Sequence, residues 1–243
     1  MTFPRELSTG SSFAAIKSGY SILHSPVEKL STGFMSKMQL CIYCLKSYGP
    51  IITAIVVMFF LVRANADYEE GVNAAFAGDF ATAFQEFSVA AEEGLDAAQY
   101  NLAILYFTGQ GVDQDIELAF KWTQAAALQG HVDAQFNLGS LYFEGSGVSQ
   151  SNMRGLAWMV SAARAGHVNA AYALAMMHLE GDPIPRDTVQ AHAWAAKAVN
   201  NGHEEGLALK HAIEEELSPS QLSAARRQYA RWQIEPTPSL PTQ

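Results

Sequence analysis

The chain has 243 residues, a formal net charge of −9 and only 16% charged residues, which suits one helical domain with additional segments. The charge is unevenly spread: residues 1–66 carry +4, leaving −13 for the rest. So acidic a body would meet phosphates with repulsion instead of releasing counterions, which argues against nucleic acid as a partner.

Residues 1–34 show no helical period and are rich in Ser, Gly and Thr. Gly49 to Val62 is an uncharged, largely apolar run of 14 residues, short of the roughly 20 that cross a bilayer. Lys37 and Lys46 precede it and Ala64-Asn65-Ala66 follows, the tripartite form of a secretory signal peptide. The expectation is a signal peptide over 35–66, cut after Ala66, with translation starting at Met35 or Met38 and residues 1–34 an untranslated extension. The alternative is an uncleaved anchor formed by residues 49–62. Cys41 and Cys44 both fall inside this leader with no second ligand pair, so they read as incidental and the mature chain as free of cysteine.

From Tyr68 the chain becomes periodic. Leu102, Leu138 and Leu174 are 36 residues apart, and so are Trp122, Trp158 and Trp194, then Ala126, Ala162 and Ala198, then Gly130, Gly166 and Gly202. A constant period of that size means stacked supersecondary units. Within one unit, Ala98, Leu102, Leu105 and Tyr106 recur at helical spacing until Gly109, and Ala119, Trp122, Ala125 and Ala126 recur until Gly130. Asp115, Ser151 and Asp187 share the position that should cap the second helix. Ahead of these units, Ala83, Phe84, Ala90 and Gly94 form a first copy with a tighter hairpin, and Glu86 stands where the others have Trp, as suits a capping unit.

After the last repeat, Glu204 to Leu217 reads as one further helix, and Ser218-Pro219 starts another that runs through Leu222, Ala225, Tyr229 and Trp232. Residues 203–233 are thus expected to cap the stack. Residues 234–243 contain three prolines and no apolar period, which predicts a disordered tail. The fold class is all-α, an α-solenoid of four repeats over 67–202.

The residues Ala98, Leu102, Tyr106, Gly109-x-Gly111-Val112, Asp115, Ala119, Trp122, Ala125-Ala126 and Gly130 resemble the motif of the Sel1-like repeats, relatives of the tetratricopeptide repeat with a longer hairpin loop. The match departs at Gly155, which replaces the Ala119 type, at His178, which replaces Tyr106, and in the loop Gly181-Asp182-Pro183-Ile184-Pro185. The resemblance implies that the first helix of each unit lines a concave peptide-binding face. It would carry Tyr100, Ile104 and Phe107, then Phe136, Ser140, Phe143 and Glu144, then Tyr172, Met176, Leu179 and Glu180. An apolar floor beside two glutamates suits an extended or helical peptide with apolar anchors and a basic residue.

No residues announce catalysis. His131, His167 and His203 each follow a repeat-ending glycine, so they stand about 10 Å apart, one helix-packing distance, and cannot share a zinc ion. There is no phosphate loop in strand-to-helix context and no nucleophile elbow. The expectation is a non-enzymatic, exported interaction scaffold in the periplasm or outside the cell. It needs no cofactor or metal, binds a protein or peptide, and meets the membrane only through its signal segment. Alternatives are a cell-envelope regulator binding peptidoglycan or its machinery, and, by resemblance to cysteine-rich secreted relatives, a protein that binds or hydrolyses β-lactams.

Overall fold

The computed structural model describes residues 67–235 without a break, together with Ala54, Met58 and Asn65. The expected extension, almost all of the signal or anchor segment, its two cysteines and the tail from residue 236 lie outside the described residues. Among the described residues no helix is long and apolar enough to cross a membrane.

Helices follow one another as antiparallel hairpins. Helix α1, described over 67–76, pairs with α2 (Phe80–Glu92). Then α3 (Asp96–Thr108) pairs with α4 (Ile116–Leu128), α5 (Val132–Glu144) with α6 (Asn152–Arg164), and α7 (Val168–Glu180) with α8 (Thr188–Asn200). Two more follow, α9 (Gly206–Glu216) and α10 (Pro219–Ile234). Each second helix also packs on the first helix of the next hairpin, which makes the stack. The end departs from this rule, because α9 and α10 both pack on α8, with the Trp232 ring 4.1 Å from that of Trp194. Helix α9 is shorter than the expected Glu204–Leu217, since residues 204–205 are still in a turn.

The caps explain the equal lengths. Asp79, Asp115, Ser151 and Asp187 each accept a hydrogen bond from a free amide at the start of α2, α4, α6 and α8. First helices end at Gly109, Gly145 and Gly181, whose φ values of 70°, 75° and 80° are left-handed. Each hairpin then closes by a backbone bond to the preceding helix: Asp115 to Tyr106, Ser151 to Tyr142, and Asp187 to His178. A second glycine matters for another reason. A Cβ on Gly111 would overlap the Phe80 carbonyl, and one on Gly147 the Ile116 carbonyl, so each loop rests on the first turn of the previous hairpin's second helix. In the next loop Pro183 takes this position after a cis peptide bond, and its carbonyl accepts from the Asn152 side chain at 3.2 Å, again on the first turn of the previous hairpin.

The interior alternates large and small side chains. Leu102, Leu138 and Leu174 are buried in successive hairpins, beside Ala90, Ala126, Ala162 and Ala198 with no exposed surface. Full burial of each leucine contributes about 1.5–3 kcal/mol. Gly139 and Gly155 let α5 and α6 approach until a Cβ on Gly139 would lie 3.1 Å from the Gly155 carbonyl oxygen. Between hairpins runs a buried amide series. The carbonyls of Ala91, Ala127 and Ala163, 36 residues apart, accept from Gln99, Gln135 and Asn201. Gln99 in turn accepts from Gln129, and Gln135 from Ser161. Buried polar groups need such partners, because an unmade bond costs more than a made one returns.

Candidate interaction face on the first helices

The eleven expected site residues all lie on α3, α5 and α7. Glu144 and Glu180 are exposed, and the other nine are half-buried. They divide into two sets by what covers them.

The first set is held in the packing. Tyr100 stacks on His131, Phe136 on His167 and Tyr172 on His203, with ring centroids 4.6, 4.3 and 4.0 Å apart. The Tyr100 hydroxyl accepts from Asn137 at 3.3 Å, repeating the contact of Tyr68 with Asn101 one hairpin earlier. The Tyr172 hydroxyl donates to Glu205 at 3.1 Å. Burial raises the pKa of both phenols, with Asp133 adding to it at Tyr100 and Glu205 at Tyr172. Phe107, Phe143 and Leu179 lean against the core clusters, Phe143 lying directly over Gly155. These residues fix the angle between hairpins and offer a partner only their outer edges.

The second set is freer. Ile104 and Met176 are half-buried yet pack against none of the three buried core clusters. Ser140 stands at the matching position of α5 and donates its hydroxyl proton to the Phe136 carbonyl. Glu144 and Glu180 occupy the last position of α5 and α7, near the negative end of each helix, where a carboxylate is least favourable. Glu144 accepts from Ser146 at 3.1 Å. The arrangement is a narrow apolar strip with a carboxylate at the end of each of two helices, and it supplies contact area rather than a reaction centre.

The histidine row has a purpose that spacing alone did not reveal. Each ring caps a turn: His131 Nδ1 accepts from the Ala134 amide at 3.3 Å, His167 Nδ1 from Ala170 at 3.1 Å, and His203 Nδ1 from Glu205 at 3.2 Å. The detectable signal was the constant 31-residue interval from aromatic to histidine at 100/131, 136/167 and 172/203. Burial lowers the His167 pKa, and Asp133, 3.4 Å from its Nε2, pulls the other way. A separate pair joins α8 to α9, where the Nε2 of the buried His192 lies 2.9 Å from the partly exposed Glu214. Lys210 and Arg226 converge on the same carboxylate. No group of three or more His, Cys, Asp or Glu side chains that could hold a metal occurs among the described residues.

Comparison with known proteins places the periodic part. The family described as Sel1 repeat matches residues 96–131, 132–167 and 168–203. These bounds coincide with the α3–α4, α5–α6 and α7–α8 hairpins. No curated protein sequence matches the chain. Among solved structures, a Sel1 repeat protein from Oxalobacter formigenes is similar at 28% identity and a TM-score of 0.55, with 59% of each chain covered. A protective antigen present in uropathogenic Escherichia coli strains, displaying an SLR fold, is similar at 24% identity and a TM-score of 0.60. That match covers 86% of this chain and 49% of the antigen. The chain thus spans about half to three-fifths of the length of these relatives.

Proposed function

Three Sel1 repeats form the middle of this chain, and from that premise we propose that it is an exported adaptor that holds a peptide or protein segment on the concave face of its first helices. Sel1 repeats typically serve as protein-interaction scaffolds, and no catalytic domain is identified in the chain. The observation that carries the reading is the strip of Ile104, Ser140 and Met176, half-buried between covered aromatics and flanked by Glu144 and Glu180. Such a strip fits a segment with apolar anchors spaced along it and a basic residue near one end. Export is supported by the short apolar run, its preceding lysines and the Ala64-Asn65-Ala66 site.

Two experiments test this. A photo-crosslinking side chain at Met176, with a control at Gln190 on α8, should give one discrete partner in living cells from the first position only. Equal, diffuse labelling from both positions would exclude the first-helix face as the working surface. Amino-terminal sequencing of the mature product should begin at Asp67, and an intact Met1 or Thr2 on an exported product would refute cleavage after Ala66.

A further inference from the structure

We infer that His167 is an acid-sensitive latch across one repeat junction: neutral, its ring ties its own turn to the preceding hairpin, and protonation releases both ties, while His131 and His203 repeat the same cap and stack geometry.

The argument starts from donor and acceptor roles. In all three cases the bond at Nδ1 comes from a backbone N–H, which can only donate. Nδ1 must therefore be the bare nitrogen, and the neutral ring carries its proton on Nε2. A protonated imidazolium has an N–H at both positions and cannot accept. It would aim a donor at a donor, and at His131 and His167 it would also place a positive charge on the positive end of α5 and α7. The same rings are the upper faces of the stacks on Tyr100, Phe136 and Tyr172. A ring that swings out of its cap leaves its aromatic partner uncovered, so cap and stack are lost together.

The surrounding charges decide whether the neutral form wins. His131 faces the Tyr100 phenol on α3, with Asp133 on its own helix close enough to raise that phenol's pKa. His167 faces Phe136 and the Asp133 carboxylate on α5, while the Asn201 amide from the end of α8 donates to its backbone carbonyl. His203 faces Tyr172 on α7, whose hydroxyl is taken by Glu205. Only at His167 does a carboxylate touch the imidazole edge. That carboxylate is 58% exposed while the ring is 12% exposed, so the screened attraction is outweighed by the ring's lost hydration. A histidine whose folded form resists protonation contributes stability that is complete above the unfolded value of about 6.5 and declines as pH falls below it. The latch is closed at neutral pH and opens in mild acid.

The test uses the purified full-length chain in two measurements. Nitrogen NMR of the imidazoles at pH 7.5 should show the Nε2–H tautomer at all three positions, with Nδ1 as the unprotonated nitrogen, and His167 titrating below an exposed histidine. Thermal unfolding should then show the His167 cap contributing a fall in Tm of roughly 2–4 °C between pH 7.5 and 5 in a chain of this size. In a chain carrying His167→Asn, asparagine keeps a cap that does not titrate, and that fall should disappear. An Nδ1–H tautomer at His167, or an unchanged acid dependence in the His167→Asn variant, would overturn the inference. If the variant does not fold, the tautomer and the titration of His167 in the unmodified chain decide alone.

Discussion

Replacing Gly147 by alanine should cost clearly more than replacing Gly130, although both glycines have positive φ. At Gly130 the φ is 97° and nothing lies within 4 Å of an added Cβ, so Gly130→Ala meets only backbone strain. That strain is about 1–2 kcal/mol for a residue forced into the left-handed region. At Gly147 the φ is 70° and the added Cβ overlaps the Ile116 carbonyl and comes within 3.1 Å of the Phe120 Cβ. Those neighbours are helix backbone and a buried side chain, so the loop must lift from α4, adding roughly 1–3 kcal/mol of overpacking. Far-UV circular dichroism melts should show Gly130→Ala lowered by a few degrees, and Gly147→Ala by about 2–4 °C more for each additional kcal/mol. Hydrogen exchange should quicken in the first turn of α4 for Gly147→Ala alone. Equal melting temperatures for the two variants would refute the claim that each loop is seated on the hairpin before it.

Other outcomes follow from the buried polar contacts and the ends of the stack. Gln135→Leu leaves the Ala127 carbonyl without its side-chain donor and removes the acceptor for Ser161, so urea denaturation should report a loss of about 1–3 kcal/mol. The bond from His192, then Lys210, holds the Glu214 carboxyl below the usual range. Its contribution is therefore complete above the unfolded value of about 4.3 and lost as pH falls through the lower folded one. Glu214→Gln should flatten that acid limb, read as Tm against pH. Glu86 is shifted the opposite way by burial and by Glu70 and Asp67, so its ionised form opposes folding at neutral pH. Glu86→Gln should raise Tm at pH 7, with the gain vanishing once the carboxyl is protonated. Trp232→Ala removes the ring packed at a tilt against Trp194, and amide exchange should accelerate through α10 while α5 and α6 remain protected.

The repeat architecture was legible because its determinants sit at one period: leucine knobs, alanine approaches, Asp or Ser caps and glycine stops recur together at 36-residue intervals. The candidate face was legible only as a set of positions. Tyr100, Phe136 and Tyr172 have the residue types of a binding floor, but which of their faces is free depends on a histidine 31 residues later. Nothing local in the sequence says that the Gln99 or Gln135 side chain will reach a carbonyl across a junction. Asn201 was harder still: it replaces the donor lost at Ala171 from a different place in the repeat. The path of α10 was also out of reach. Its cap and apolar spacing specify a helix, whereas its seat on α8 depends on Trp194 being left without the neighbour that a further repeat would bring.

The buried amide series also says which units the chain can lose. Excising residues 96–131 joins Leu95 to Val132 and brings Gln135 to the Ala91 carbonyl, where Gln99 had been, with Asn137 facing Tyr68. Excising residues 132–167 joins His131 to Val168 and lets Asn201 reach the Ala127 carbonyl in the same way. Excising residues 168–203 has no such remedy, because Asn201 leaves with the removed piece and Leu207, arriving at the Ala171 position, has no amide to donate to Ala163. Loss of a whole unit should therefore be tolerated better at the first two positions than at the third.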